Sequence, residues 1–241
     1  MSSKRFFDLI VTICASIIFV PIIFVAAMIV FFEDFHNPFY LSKRIGKGMK
    51  VIKVIKLRSM VINADKTIIR TTTTADVRIT KVGKFIRKYK IDELPQFFNV
   101  LAGNMSLIGP RPNVWENGVE FYSIEENGLL SIKPGISDFS SIIFADLGEI
   151  VAGQNEPDEF YNEVVRPWKS KFGLLYVQKQ TLLLDMKLLF CTGLNLVNRE
   201  KALVYISQIV KKISPDKDMY IVSRRNVLFA QIKPSIQVKN T

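Results

Sequence analysis

LIVTICASIIFVPIIFVAAMIVFF, Leu9 to Phe32, runs for 24 residues without a charged side chain. At about 1.5 Å of rise per residue, a helix of that length matches the ~30 Å hydrocarbon core of a bilayer. The run exceeds the apolar core of a secretory leader, and Glu33-Asp34-Phe35-His36 after it offers no small-residue cleavage pattern. It therefore reads as a retained membrane segment. Its flanks are both basic, with Lys4 and Arg5 before it and Lys43, Arg44, Lys47 and Lys50 after it. Positive charge marks the cytoplasmic side of a membrane segment, so equal marks at both ends give no sign of a crossing. Pro21, near the middle, removes a backbone donor and crowds the preceding turn, which lets the helix bend back to the face it entered. The expectation is a re-entrant helix with both flanks in the cytoplasm.

The whole chain, 241 residues, is long enough for one main domain with a real core plus an accessory segment. Lys and Arg number 33 against 22 Asp and Glu, a formal charge of +11 on a chain that is 49% hydrophobic. Such a balance favours polyanionic partners: nucleic acid, lipid headgroups or phosphorylated substrates. Cys14 and Cys191 are too far apart in sequence for a zinc cluster or a disulfide framework, and a reducing compartment is permitted. His36 is the sole histidine, expected at the level of the headgroups, so a catalytic triad has little to draw on. Carboxylates are the better candidates for chemistry.

Moving outward from the apolar run, Phe39-Tyr40-Leu41 and Val51 to Lys56 flank Gly46-Lys47-Gly48 and predict a β-hairpin leading into Lys56-Leu57-Arg58. A polar loop is expected at Thr71 to Thr74. Val82, Phe85, Ile86 and Tyr89 recur at helical spacing with Lys81, Lys84, Arg87 and Lys88 on the other face, which predicts a basic amphipathic helix. In RPWKSKFGLLYVQKQTLLLDMKLLF, 166 to 190, core packing is expected for the Leu-rich half. Core packing and membrane-interface contact stand as equal readings for the half with Trp168, Lys169 and Lys171. The basic tail after Lys211 carries no motif.

RKYKIDELPQFFNVLAGNMSLIGPRP, 87 to 112, sets Asp92 and Glu93 side by side in these basic surroundings. One reading makes Asp92 the N-cap of a helix with Pro95 in its first turn and Leu94, Phe97, Phe98 and Leu101 on its apolar face. The other notes Lys56 and Arg58 at the end of the predicted strand, Arg87 just upstream, and Arg111 in a proline-fixed loop. Paired carboxylates among cations suit a site that binds a divalent metal and a phosphorylated substrate together.

These motifs resemble the bacterial sugar transferases, the monotopic polyprenyl-phosphate phosphoglycosyl transferases of the small catalytic type. The resemblance is carried by KRFFD at 4 to 8, the apolar run with Pro21, SKRIGKGMKVIKVIKLRSM at 42 to 60, TKVGKFIRKYKIDELPQFFNVLAGNMSLIGPRP at 80 to 112 and KPGIS at 133 to 137. It implies transfer of a sugar phosphate from a UDP-sugar to a polyprenyl phosphate such as undecaprenyl phosphate, with release of UMP, as the first membrane step of a surface glycan. It further implies that Asp92 is the nucleophile, that Glu93 is a ligand of Mg2+, and that Arg87 and Arg111 hold the nucleotide phosphates with Lys56 and Arg58 in support. Two positions depart from the pattern. Val20-Pro21 stands where a Ser-Pro break is common, and Asp138 to Phe144 replaces the usual Trp-Ala-Gln and Gly-Arg pattern after KPGIS.

The expected architecture is α+β: a membrane-embedded segment at 1–38, a mostly helical catalytic domain at 39–200 with a small hairpin and interfacial amphipathic helices, and a basic extension at 201–241. The expected location is the bacterial inner membrane, with the catalytic domain on its cytoplasmic face and the lipid bilayer as a partner. Self-association as a homo-oligomer stays open. The alternative is a membrane-anchored basic binding protein without catalysis. No helix-turn-helix, zinc-finger or aromatic RNA-binding signature supports nucleic acid as its partner.

Overall fold

The computed structural model describes residues 2–64, 76–116 and 118–225, so the threonine tract at 71–74 and the end of the basic tail lie outside the described residues. The apolar run forms most of one helix, α1 (Ser3–Asp34), capped by the Ser2 side chain and closed by Phe35 in the left-handed region. Pro21 lies inside it on the exposed side. Asp8, Thr12, Ile23, Ala26, Ala27 and Val30 are its buried residues, whereas Ile17 and Phe24 are 75% and 66% exposed.

Both ends of α1 rest on the same body. At its start, Lys4 Nζ donates to Asp185 Oδ2 (2.7 Å) and to the Ile108 carbonyl (3.0 Å), and Arg5 donates to the carbonyls of Val100 and Leu101. One turn on, Asp8 accepts from Ser106 Oγ at 2.8 Å and from the Leu107 amide at 3.3 Å. At its end, Asp34 takes both Nη groups of Arg58 at 2.5 and 2.6 Å. Ile23, Ala26, Ala27 and Val30 pack there with Leu57 and Ile86.

The predicted hairpin forms from β1 (Phe39–Ile45) and β2 (Val51–Leu57), paired antiparallel from Phe39 opposite Leu57 to Ile45 opposite Val51. Gly48, at φ 63°, supplies the left-handed turn between them. The basic helix is α2 (Lys81–Lys88), and α3 (Gln96–Leu101) follows the carboxylate pair. The strands β3 (Ser106–Ile108) and β4 (Gly135–Ser137) form a second, parallel pair absent from the sequence reading. A Cβ on Gly135 would lie 2.1 Å from the Gly109 nitrogen, so the two backbones touch and exclude any side chain.

Helices complete the domain: α4 (Phe139–Ile143), α5 (Leu147–Ala152), α6 (Pro157–Phe160), α7 (Arg166–Lys179), α8 (Leu182–Val197), α9 (Arg199–Ile213) and α10 (Lys217–Arg224). Among the described residues the fold is mostly helical with two small sheets, as α+β patterning implied. Its main core joins Trp168, Phe172 and Tyr176 of α7 to Phe139, Ile142 and Ile143 of α4 and to Leu188. Leu203, Ile206 and Val210 of α9 and Met219 and Val222 of α10 enter the same core, so residues 201–225 pack as part of the domain.

Two local expectations change. Asp92 does not cap α3: it lies inside a 3-10 turn, Ile91–Glu93, and α3 begins after Pro95 without a side-chain cap. The face of α3 turned inward carries Gln96, Asn99 and Val100, while Phe98 is exposed. In 166–190 the core claims the half with Trp168, and the Leu-rich half shows Leu183, Met186 and Phe190 to the outside. The physical reason is that α8 carries apolar side chains on its outer as well as its inner face. Leu184, Leu188 and Cys191 satisfy its inward face and leave its other apolar side chains uncovered.

Candidate active site

The corner holding the carboxylates is made by the backbone. After α2 ends, Lys90 takes a left-handed conformation (φ 58°), the 3-10 turn follows, and Pro95 opens α3. A sharp turn between two helices thus presents Asp92 and Glu93 together. Opposite them, β2 delivers Lys56, and its alignment depends on Asn99. Asn99 Oδ1 accepts from the Ile55 amide at 2.9 Å, and Nδ2 donates to the Lys53 carbonyl at 2.7 Å. The Asn99 side chain thereby acts on β2 as a short stretch of neighbouring strand. Arg111 arrives from the loop after β3, which is held where the Gly109 amide meets the Ser137 carbonyl and the Gly135 amide meets the Pro110 carbonyl, each at 3.0 Å.

Glu93 is the locked member of the pair. Lys56 Nζ donates to its Oε1 at 2.9 Å, and Arg111 grips both oxygens, Nη1 reaching Oε2 at 3.1 Å and Nη2 contacting Oε1. Burial alone would raise its carboxyl, but the charges and hydrogen bonds of Arg111 and Lys56 hold it well below the usual range. Asp92 is the uncommitted member. It is 8% exposed, and burial followed by the Glu93 charge raises its carboxyl, against the pull of Lys56, Arg87 and Lys90. Among the described residues, burial and charge rather than hydrogen bonding make up that shift. A desolvated carboxylate that gives up no lone pair to a donor is suited to attack an electrophile.

The other sequence candidates divide. Arg87 lines the cleft in front of the pair, with Nη1 3.4 Å from Ser59 Oγ. Arg58 lines the same cleft, yet its guanidinium is bound to Asp34 and to the Asn37 carbonyl, so it ties the hairpin to the end of α1. Pro21 belongs to α1 and does not line the cleft. Several participants escaped the sequence reading. Asn99 carries no signal in the apolar pattern of its helix, and Lys90 is not distinguished by the pattern of the basic helix before it. Arg44, read as a membrane flank, lines the cleft, and burial together with the nearby Arg111 charge lowers its affinity for a proton.

The cleft encloses about 2080 Å³. That exceeds the roughly 300–1,000 Å³ of a site for one small ligand. Lys56, Arg87, Lys90, Asp92, Glu93 and Arg111 line its polar part. Phe19 of α1, Phe97 of α3 and Leu189 of α8 line an apolar part, Phe19 and Phe97 being stacked at 5.3 Å. Among the described residues no three His, Cys, Asp or Glu side chains cluster to hold a metal. A divalent ion would therefore need oxygens from the substrate beside one or two carboxylates, which is the usual habit of Mg2+.

Fold and site define a class: a carboxylate and cation centre in an open cleft, built beside an apolar helix long enough to enter a bilayer. The chain belongs to the family described as bacterial sugar transferase, whose profile matches residues 1–199. It is 37% identical over 196 residues to the UDP-glucose:undecaprenyl-phosphate glucose-1-phosphate transferase of Klebsiella pneumoniae, covering 80% of this chain and 39% of that protein. It is 36% identical over 146 residues to the UDP-N-acetylgalactosamine-undecaprenyl-phosphate N-acetylgalactosaminephosphotransferase of Aeromonas hydrophila, covering 58% of this chain and 34% of that protein. With the exopolysaccharide production protein ExoY of Sinorhizobium fredii it shares 32% identity over 205 residues, 79% of this chain and 83% of that protein. The chain spans only about a third to two fifths of the first curated relatives it matches.

Proposed function

We propose that the protein transfers a sugar phosphate from a UDP-sugar to undecaprenyl phosphate through a covalent intermediate on Asp92. The observation that carries this reading is the pairing of an uncommitted, buried Asp92 with a Glu93 fully engaged by Lys56 and Arg111. The names of the relatives support the substrate classes.

In the first step an Asp92 oxygen attacks the sugar-side phosphorus of the donor. The bond from that phosphorus to the bridging oxygen breaks, and UMP leaves with the electron pair. Two anions must approach each other, so cations have to offset the charge on the phosphates. Arg111 and Lys56 stand at that place, and Arg87 and Lys90 add charge from the α2 side. In the second step an oxygen of undecaprenyl phosphate attacks the same phosphorus, the acyl phosphate bond breaks, and the Asp92 carboxylate is regenerated. The product is a sugar joined to the lipid through a diphosphate. Dividing the reaction lets a soluble donor and a membrane acceptor use one carboxylate in turn.

Glu93 fits a role as ligand to Mg2+, because it stays ionised and presents hard oxygens beside the place of the donor phosphates. Bound Mg2+ would neutralise phosphate charge during the transfer. Lys56 and Arg111 already occupy Glu93, so a cation there has to share the carboxylate or displace the lysine.

The topology proposed is re-entrant, on the cytoplasmic face of the bacterial inner membrane. Anchorage of both ends of α1 on one body, with its middle showing apolar side chains outward, supports it. Tags before Lys4 and after Met60 are expected on the same side, and Pro21→Leu is expected to move part of the population to a spanning form without activity. Membrane fractions supplied with Mg2+, undecaprenyl phosphate and a panel of UDP-sugars test the transfer itself. UMP release that requires the lipid supports it. UMP release with no donor in the panel would leave a basic binding protein as the reading.

A further inference from the structure

The cleft has one wall whose support comes from the last residue of the family match and from beyond it. Phe144 to Glu149, the loop after α4 and the start of α5, line the cleft, in and just beyond the stretch that departs from the family pattern. The family match ends at residue 199, where α9 begins. These two departures meet at Asp146. Arg199 Nη2 lies 2.8 Å from Asp146 Oδ1, and Arg225, just after α10, places its Nη2 3.2 Å from Oδ2. Arg199 also donates to the Ile143 carbonyl at 3.3 Å, and the Arg225 guanidinium sits over the Phe144 ring, 5.7 Å from its centroid.

A lone exposed ion pair would hold a loop weakly. Here one carboxylate receives two guanidiniums from different places in the chain, and the helices that carry them share a core with Ile142 and Ile143 of α4. On its other side the wall touches the catalytic corner, because Lys90 Nζ reaches the Ala145 carbonyl at 3.5 Å, two residues before Asp92. This side of the cleft is mixed, with Ser140, Ser141, Asp146 and Glu149 set among Ile142, Phe144 and Leu147, whereas the side near α1 carries the stacked Phe19 and Phe97. Hydroxyl-rich groups suit the first and a hydrocarbon chain the second.

We propose that α9 and α10 brace this wall through Asp146, making Asp146, Arg199 and Arg225 positioning residues for the sugar end of the donor. The proposal rests on the transfer reading for its kinetic part only. Hydrogen exchange over residues 144–149, measured without substrate in the detergent-solubilised full chain, reads the brace itself. Arg225→Gln is expected to speed exchange there and to raise the donor KM about fivefold, with kcat and the KM for the lipid acceptor unchanged. Asp146→Asn is expected to do the same, and the double variant to be no worse than either single one, because both act through one contact. Should either variant fail to fold, Arg225→Lys, which keeps the charge and loses the paired fork, takes its place. Unchanged exchange over 144–149 in a folded variant, or additive effects in the double variant, would overturn the brace. Absence of UMP release from the unmodified protein would instead overturn the transfer reading, with the exchange measurement still deciding the brace.

Discussion

The regions around Asp185 and around Glu93 both bury a carboxylate against cations, and only the second has the makings of a reaction centre. Around Asp185, Lys4 donates to Oδ2 and the Tyr176 hydroxyl to Oδ1, and neither the lysine nor the carboxylate lines the cleft. Around Glu93, Lys56 and Arg111 make a comparable cluster, but it opens on the cleft and adjoins a second carboxylate that takes no share in it. Buried charge is common to both. The difference lies in Asp92, a desolvated carboxylate with space in front of it, and that is what separates a site from a clamp.

Breaking each cluster should therefore have different consequences. The largest expected effect is on Asp92→Asn: UMP release falls about a thousandfold or more, since the amide cannot act as the nucleophile. The same variant should be more stable than the unmodified protein at neutral pH. Asp92 binds its proton more tightly folded than unfolded, so its contribution to stability is lost as pH rises from about its ordinary value of 3.8 through the raised one. Thermal melts should show the gain at neutral pH and its disappearance once both states are protonated.

Lys4→Met attacks the clamp. It leaves Asp185 buried without its cation and is expected to cost about 3 kcal/mol in denaturant titrations, with the donor KM of the folded fraction unchanged. Asn99→Ala removes both side-chain bonds to β2 and is expected to cost about 2 kcal/mol. Unlike Lys4→Met, it should also raise the donor KM, because Lys56 is aligned by that strand. Glu93→Gln is the smallest change: about a tenfold rise in the Mg2+ concentration for half-maximal activity, measured by titration, since a neutral amide is a poor ligand for a hard cation. An unchanged titration would reduce Glu93 to an anchor for Arg111.

What could be read from sequence follows from range. The apolar run, the hairpin across Gly48 and the amphipathic α2 are decided by neighbours within a few residues, and periodicity reports them. The pair Asp92-Glu93 and its partners Lys56 and Arg111 were likewise visible as residue types. Arg58 was not separable from Lys56, because the choice between Glu93 and Asp34 is made by where α1 ends in space. Strands β3 and β4 are three residues each, too short for alternation to show, and they are built by contact between two glycine backbones. Asn99 gave no signal on its helix because its partner is the backbone of β2, more than forty residues earlier.

The comparison comes down to whether Asp92 forms a bond. Intact-protein mass spectrometry after exposure to a UDP-sugar and Mg2+, with no lipid acceptor, reads this directly. A covalent Asp92 intermediate gives a mass increase of one sugar phosphate, absent in Asp92→Asn and discharged when undecaprenyl phosphate is added. An unmodified protein that nevertheless releases UMP once lipid is present, or an adduct that persists in Asp92→Asn, would contradict it.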